Sequence, residues 1–268
     1  MNKICVVAKN KETYFIKRLI EEVGDGVEIF NPWADIEFPS ADLYLSRCTG
    51  VYNSDLDLMF LKTIPKNKLI NSFEVLKLFR SKINQYEWFD KEDIPSLPWL
   101  PIKGSDLLTI EKFFRLYPEL VVKPFIGQGG WGVQKLTWPE FKSWKKKKNS
   151  DENYLLQPFV KDGKEFRYFF IKGKSPIILE RKAKSGIAAN FRSQGEAQIS
   201  TLPGPMMDKI QILVESSAAD YGAIDLFIKG EQLYILKLNT VPGIEQLEKI
   251  SGINIIRELL ESFSHLKG

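Results

Sequence analysis

The sequence predicts a mixed fold, with a small parallel α/β region at the N-terminus followed by segments built from antiparallel hairpins and helices. Two observations predict it. The first seventy residues alternate short apolar strands with helical stretches, the β-α-β rhythm of a parallel sheet. Beyond Pro118, strands come in pairs around short glycine-containing turns, as hairpins do. The chain has 268 residues, enough for one large domain or two.

The elements follow in order. "KICVVAK" reads as a strand, residues 11 to 23 as a helix, and "VEIF" and "ADLYLSR" as strands. A helix is expected near 54 to 62, then "KLIN", then one helix over 72 to 90. "IPSLPWLP" carries three prolines in eight residues and reads as an extended crossing. Residues 106 to 117 read as a helix stopped by Pro118. "LVVKPF-IGQGGWG-VQKLTW" reads as strand, glycine loop, strand. "TWPEFKSWKKKK" opens a helix with Thr137 as N-cap, Pro139 in the first turn and Glu140 closing a capping box. Its lysines 145 to 148 suit the negative end of the helix dipole and read as a solvated helix end or as a polyanion patch. "YLLQPFV" reads as a strand, "EFRYFFI-KGKS-PIILERKA" as a hairpin, and 205 to 219 as a helix. "GAIDLFI-KGEQ-LYILKLN" reads as a second hairpin, followed by one helix over 246 to 264.

Composition narrows the function. The net charge is +4 and apolar residues make up 44%, which suits anionic small molecules or acidic polypeptides and gives no argument for nucleic acid. Cys5 and Cys48 lie in apolar runs and read as buried thiols of a reducing compartment. No run reaches the about 18 apolar residues of a membrane span, and the N-terminal apolar run is too short for a signal peptide. A cytoplasmic protein is expected. The single histidine, His265, leaves no histidine-centred catalysis and no Cys/His zinc site. A bound metal would need oxygen ligands, which points to magnesium.

Three stretches carry candidate chemistry. "GQGGWG", residues 127 to 132, lacks the Lys-Ser/Thr of a P-loop and precedes a strand, where a dinucleotide fingerprint needs a helix. It reads either as a mobile hairpin tip or as a flap whose bare amides close over phosphate, with Lys123 upstream. Glu165 and Arg167 share a face of one strand and Arg181 lies on its return strand, as nucleotide contacts or as a cross-strand ion network. In the last hairpin, a three-residue loop Gly230-Glu231-Gln232 would place Asp225 opposite Lys237, with Asn239 on the same face. A two-residue loop would break that register. The pair reads as a site or as a cross-strand ion pair.

Taken in order, "ADLYLSRCTG", "LINS" leading to "RSK", "VVKPFIGQGGWGV", "YLLQPFV", "EFRYFFI", "ILERKAKSG", "GAIDLFI" and "LKLNTVPGIEQLEK" resemble the ATP-grasp superfamily, within it the RimK-like carboxylate–amine ligases. The resemblance implies an ATP-grasp fold: an N-terminal α/β region at 1–71, a linker helix and crossing at 72–100, and two α+β lobes at 101–160 and 161–268 that grip ATP. It implies ATP-binding lysines at Lys82 and Lys123. It makes Gly127, Gln128, Gly129, Gly130, Trp131 and Gly132 a triphosphate flap. Gln157, Pro158, Phe159 and Val160 become the adenine hinge, with Pro158 in place of a usual acid. Glu165 becomes the ribose contact, and Arg167, Arg181 and Asn190 the residues around the γ-phosphate and acyl intermediate. Magnesium would be held by Asp225 and Asn239.

The implied reaction joins amino-acid, peptide or protein substrates through an acyl phosphate, with no nucleic acid or membrane partner. Two positions depart from the pattern. Lys237 stands where a second metal-binding acid belongs. Ala188 and Ala189 stand where an arginine precedes the asparagine, with Arg192 several residues away. Three readings follow: a ligase in which the Lys237 ammonium replaces one magnesium, a degenerate ATP-grasp protein (natural or engineered) that binds nucleotide with little turnover, and a small-molecule kinase. Arg47, Arg181 and Arg192 are candidates to hold a second substrate carboxylate.

Overall fold

The computed structural model describes residues 3–49, 55–127, 130, 132–147, 153–182 and 196–263. The N-terminal region is a parallel sheet of β1 (Ile4–Val7), β2 (Val27–Phe30), β3 (Leu43–Ser46) and β4 (Leu69–Ile70) in the order β2-β1-β3-β4. Central β1 reads "ICVV" and is buried at every position, as a strand covered on both faces must be. Helix α1 (Tyr14–Val23) buries Phe15, Ile16 and Leu19 on one face and stops at Gly24, whose φ is 73°. Cys5 and Cys48 are free, buried thiols, and burial pushes both up to about 12.

After α2 (Leu56–Leu61), the helix expected over 72 to 90 is two helices, α3 (Phe73–Leu78) and α4 (Lys82–Lys91). The backbone N–H of Lys82 donates to the Phe125 carbonyl at 2.9 Å and so leaves the helical ladder. The Phe79 carbonyl takes the side-chain amide of Gln85 at 2.7 Å instead. This break aims α4 at the centre of the molecule.

A second sheet, ordered β5-β8-β6-β7, comprises β5 (Leu100–Pro101), β6 (Leu120–Pro124), β7 (Gln134–Leu136) and β8 (Tyr154–Pro158). It is covered by α5 (Leu107–Leu116), capped by Asp106, and by α6 (Trp138–Lys147). At the start of α6, the Thr137 N–H and hydroxyl both donate to Glu140 Oε2 at 2.7 Å, the carboxylate half of the expected capping box.

The third sheet is antiparallel, ordered β11-β10-β9-β12-β13. Its strands are β9 (Lys164–Ile171), β10 (Ile177–Lys182), β11 (Glu196–Ile199), β12 (Tyr221–Lys229) and β13 (Gln232–Asn239). Helix α7 (Gly204–Ser217) packs on it. The final helical stretch is also two helices, α8 (Glu245–Ser251) and α9 (Ile255–Ser262). Gly252, at φ 70°, ends the first, and Asn254 caps the second by accepting from Arg257 N at 3.0 Å. The expectation of one continuous helix failed because Gly252 and Asn254 together form a stop and a start. No helix among the described residues is long and apolar enough to cross a membrane.

One core joins the first sheet to the third, with Ile4, Val6 and Phe15 packed in the same cluster as Phe169, Tyr221 and Leu247. Buried Asn71, just after β4, ties the two together. Its Oδ1 accepts from the backbone N–H of Asp220 at 2.6 Å and Tyr221 at 3.2 Å. Its Nδ2 donates to the carbonyls of Tyr221 at 3.0 Å and Thr240 at 3.1 Å.

Candidate functional site

The register of the third sheet builds the site. Arg167 on β9 pairs directly with Asp225 on β12, which pairs with Lys237 on β13. Two residues along β9, on the same face, Glu165 pairs with Arg181 on β10. The Arg167 guanidinium grips Asp225 with both arms, Nε to Oδ1 at 2.7 Å and Nη2 to Oδ2 at 3.0 Å. Arg181 Nη1 reaches Glu165 Oε1 at 3.1 Å and Asp225 Oδ1 at 3.5 Å. Lys237 Nζ stands 3.2 Å from Asp225 Oδ2. The cross-strand ion network is therefore formed, and Glu165, Arg167, Arg181, Asp225 and Lys237 belong to it.

The last hairpin reaches this register by a route the three-residue loop did not anticipate. Its loop is the two residues Gly230 and Glu231, since Lys229 pairs with Gln232 and Leu226 with Ile235. Gly230 supplies the positive φ of 59° that the first loop position requires. A β-bulge then leaves Leu236 unpaired and shifts the register by one, so that Asp225 still meets Lys237. Helix α4 fixes the bulge. The Tyr86 hydroxyl donates to the Leu236 carbonyl at 2.6 Å, and Leu238 N donates to Gln85 Oε1 at 2.9 Å. Ile235 N donates to the Pro95 carbonyl at 2.7 Å. The otherwise open edge of β13 is satisfied by these groups.

Two more lysines face the network. Lys82, the first residue of α4, donates to the Pro124 carbonyl at 3.0 Å and approaches the Gly127 carbonyl at 3.5 Å. Burial, then the charges of Lys237 and Lys123, push it down to about 7. Lys123 donates to Gln157 Oε1 at 2.8 Å. Burial and the charge of Lys237 push it down to about 8, against a smaller opposing pull from Glu165. For Asp225, burial alone would raise the carboxyl. The charges of Arg167 and Lys237, the Arg167 hydrogen bond and the charge of Arg181 outweigh burial and hold it well below the usual carboxylate range. Among the described residues, five cationic side chains (Lys82, Lys123, Arg167, Arg181, Lys237) thus surround two carboxylates (Asp225, Glu165), a formal excess of three positive charges.

Of the glycine loop, Gly127, Gly130 and Gly132 are described. Gly130 and Gly132 have φ of 76° and 74°, the conformation for which glycine was expected. Gln128, Gly129, Trp131 and Asn190 lie outside the described residues, as do Ala188, Ala189, Arg192 and His265. In "QPFV", Gln157 is fully buried and its side chain turns inward to Lys123. Pro158 pairs with Leu120, Phe159 N donates to the Glu119 carbonyl at 2.9 Å, and Val160 follows the strand. A cavity of about 70 Å³ opens beside Lys237, lined by Ser46, Cys48, Arg80, Lys82, Asn239 and others. Arg80 there is locked to buried Asp57 by two hydrogen bonds of 2.7 and 3.0 Å.

The donor set does not fit a magnesium pair held by the protein. Both oxygens of Asp225 accept from cations, and Asn239 Oδ1 accepts from Val241 N at 3.0 Å. Among the described residues no group of three or more His, Cys, Asp or Glu side chains converges to hold a metal. Magnesium needs oxygen ligands at about 2.1 Å in octahedral array.

Sequence reasoning found the charged row but missed Gln85, Tyr86 and Asn71. Tyr86 had one available signal, its place four residues after Lys82 on the same helical face. Asn71 lies inside "LINS", a stretch in which no local pattern assigns the asparagine a role.

Two antiparallel sheets flanking a lysine-lined cleft, with a glycine loop on one and a charged row on the other, define an ATP-grasp architecture. The chain superposes on the D-alanine–D-alanine ligase of Bacillus anthracis complexed with ATP, with a TM-score of 0.73 and 19% identity, over 100% of this chain and 97% of that one. The RimK-like ATP-grasp domain model matches residues 100–263, more than half of the sequence, and the chain belongs to that family. It is similar to a probable alpha-L-glutamate ligase of Shewanella pealeana, 29% identical over 43% of this chain. It is also similar to a probable alpha-L-glutamate ligase of Haemophilus influenzae, 24% identical over 72% of this chain. The matches span 26% and 65% of those relatives' own lengths.

Proposed function

We propose that this protein is an ATP-dependent carboxylate–amine ligase that forms an amide bond through an acyl phosphate. The carrying observation is the cluster of five cations gathered beside the glycine loop, a charge pattern that suits a polyphosphate. In the first step a substrate carboxylate oxygen attacks the γ-phosphorus, the bond to the bridging oxygen breaks, and ADP leaves. In the second, an amine nitrogen attacks the acyl carbon, inorganic phosphate leaves, and the nitrogen loses its proton. Lys82, Lys123 and Lys237 stabilise the charge that builds on the phosphate oxygens, an effect of preorganised position.

The glutamate-ligase relatives support an amino acid as the amine donor. Arg47 supports a carboxylate on one of the substrates. It donates to the Pro242 carbonyl at 2.9 Å and lies over the Phe15 ring. Its buried guanidinium faces the buried Tyr221 hydroxyl. A second reading, nucleotide binding with little turnover, is favoured by Asp225, whose oxygens are all engaged by cations.

The test is ADP release by the purified chain with ATP, glutamate and carboxylate-bearing peptides, with products weighed by mass spectrometry. An amide product requiring both substrates is expected, and Lys82→Ala should lose it. A stable phosphorylated product formed without amine would indicate a kinase. Nucleotide binding without ADP release would select the second reading.

A further inference from the structure

We propose that the site takes nucleotide polyphosphate in its metal-free form, with the Lys237 ammonium occupying the place of a protein-bound divalent cation. This rests on the nucleotide site proposed above and sharpens what that site recognises.

Three observations carry the inference. The first is occupancy. For Asp225 to ligate a metal, it must release at least one of the contacts that Arg167, Arg181 and Lys237 make with its two oxygens. Among the described residues, Arg181 pairs with Glu165 at 3.1 Å and approaches Asp225 at 3.5 Å. Two buried guanidiniums would then face an added divalent charge with one carboxylate fewer, and breaking a buried pair in this way is strongly unfavourable. The second is charge. A site whose cations outnumber its carboxylates, by three when every lysine is protonated, favours the more anionic, metal-free nucleotide over its magnesium complex. The third is donor capacity. Lys237 keeps 29% of its side chain exposed and, among the described residues, has one ion-pair contact, to Asp225. An ammonium has three donors, so hydrogens remain to meet phosphate oxygens. The bulge held by Tyr86 is what presents Lys237 on this face.

Binding is measured by calorimetric titration of ATP into the full chain, once in EDTA and once with excess magnesium. The expected result is an affinity in EDTA within about threefold of that with magnesium, or tighter. In Lys237→Gln, which keeps length and polarity, binding in EDTA should weaken by about tenfold. In Lys237→Glu, magnesium should restore binding that EDTA abolishes. A wild-type affinity in EDTA weaker by about tenfold or more overturns the proposal and leaves the ligase reading standing. No binding under either condition overturns both. A saturable manganese site on the nucleotide-free protein, read by electron paramagnetic resonance, also overturns it.

Discussion

Lys237 Nζ lies 3.2 Å from Asp225 Oδ2, directly across the last hairpin, and Asp225 is at the same time clasped by Arg167. A single buried carboxylate therefore serves as the common counterion of three cations, Arg167 on β9, Arg181 on β10 and Lys237 on β13. The arrangement links fold and site, because the charges that would meet a polyphosphate are also those that the sheet must neutralise to fold.

Removing that counterion should be costly. Asp225→Ala leaves Arg181 paired with Glu165 and takes from Arg167 and Lys237 the carboxylate they share, and a loss of about 3–5 kcal/mol is expected. Urea unfolding with and without ATP checks it. Nucleotide should stabilise the variant more than the native chain, since the polyphosphate supplies the missing negative charge. Equal stabilisation of both would show that the nucleotide does not reach these cations.

The lysines predict two opposite pH dependences. Lys82 and Lys123 titrate near 7 and 8 in the folded chain, against 10.5 ordinarily. Between about pH 7 and 10.5 the unfolded chain binds more protons, so the stability of the free protein from these groups rises with pH. Below about pH 7 both states are protonated and the full burial penalty is present. Nucleotide affinity runs the other way and falls as pH rises through 7 to 8, because the binding ammoniums lose their charge. Titration at pH 8.5 in two buffers of different ionisation enthalpy should show uptake on the order of one to two protons per nucleotide.

The bulge makes its own prediction. Tyr86→Phe removes the donor to the Leu236 carbonyl and leaves a buried acceptor, at a cost of about 1–2 kcal/mol. Because the same bond holds the register that presents Lys237, the variant should also bind nucleotide more weakly than its stability loss explains. Titration well below its melting temperature measures this. Unchanged affinity would mean the register holds without the Tyr86 hydrogen bond.

Asn71 should matter to stability without touching the nucleotide. Asn71→Ala deletes four hydrogen bonds to backbone groups of the third sheet and the turn after it, a loss of about 3 kcal/mol. Asn71→Asp should be comparably harmful, since it turns an acceptor toward the Tyr221 and Thr240 carbonyls. Thermal unfolding of both variants is the measurement. A mild Asn71→Asp would show that the amide donors contribute little.

The sequence by itself determined the alternation that makes the first sheet parallel and the later sheets hairpins. It also determined that Glu165 and Arg167 share a face. These are consequences of local periodicity, which a side chain's own position in the chain decides. Cys5 and Cys48 were legible as buried thiols for the same reason. Gly252 and Asn254 carried a readable helix stop and start that a continuous apolar pattern concealed.

What only the tertiary structure decided lies in contacts between distant parts of the chain. The break between α3 and α4 is made by the Phe125 carbonyl, more than forty residues beyond Lys82. The two-residue loop at Gly230 would have turned Lys237 away from Asp225. The pairing survives because Leu236 bulges out and its carbonyl finds Tyr86, 150 residues earlier in the chain. No local pattern marks such a bulge, since its stability comes from a partner that folding alone brings to it. The same reason explains why the charged row looked like either a site or a surface ion pair until burial, register and the facing lysines were in place together.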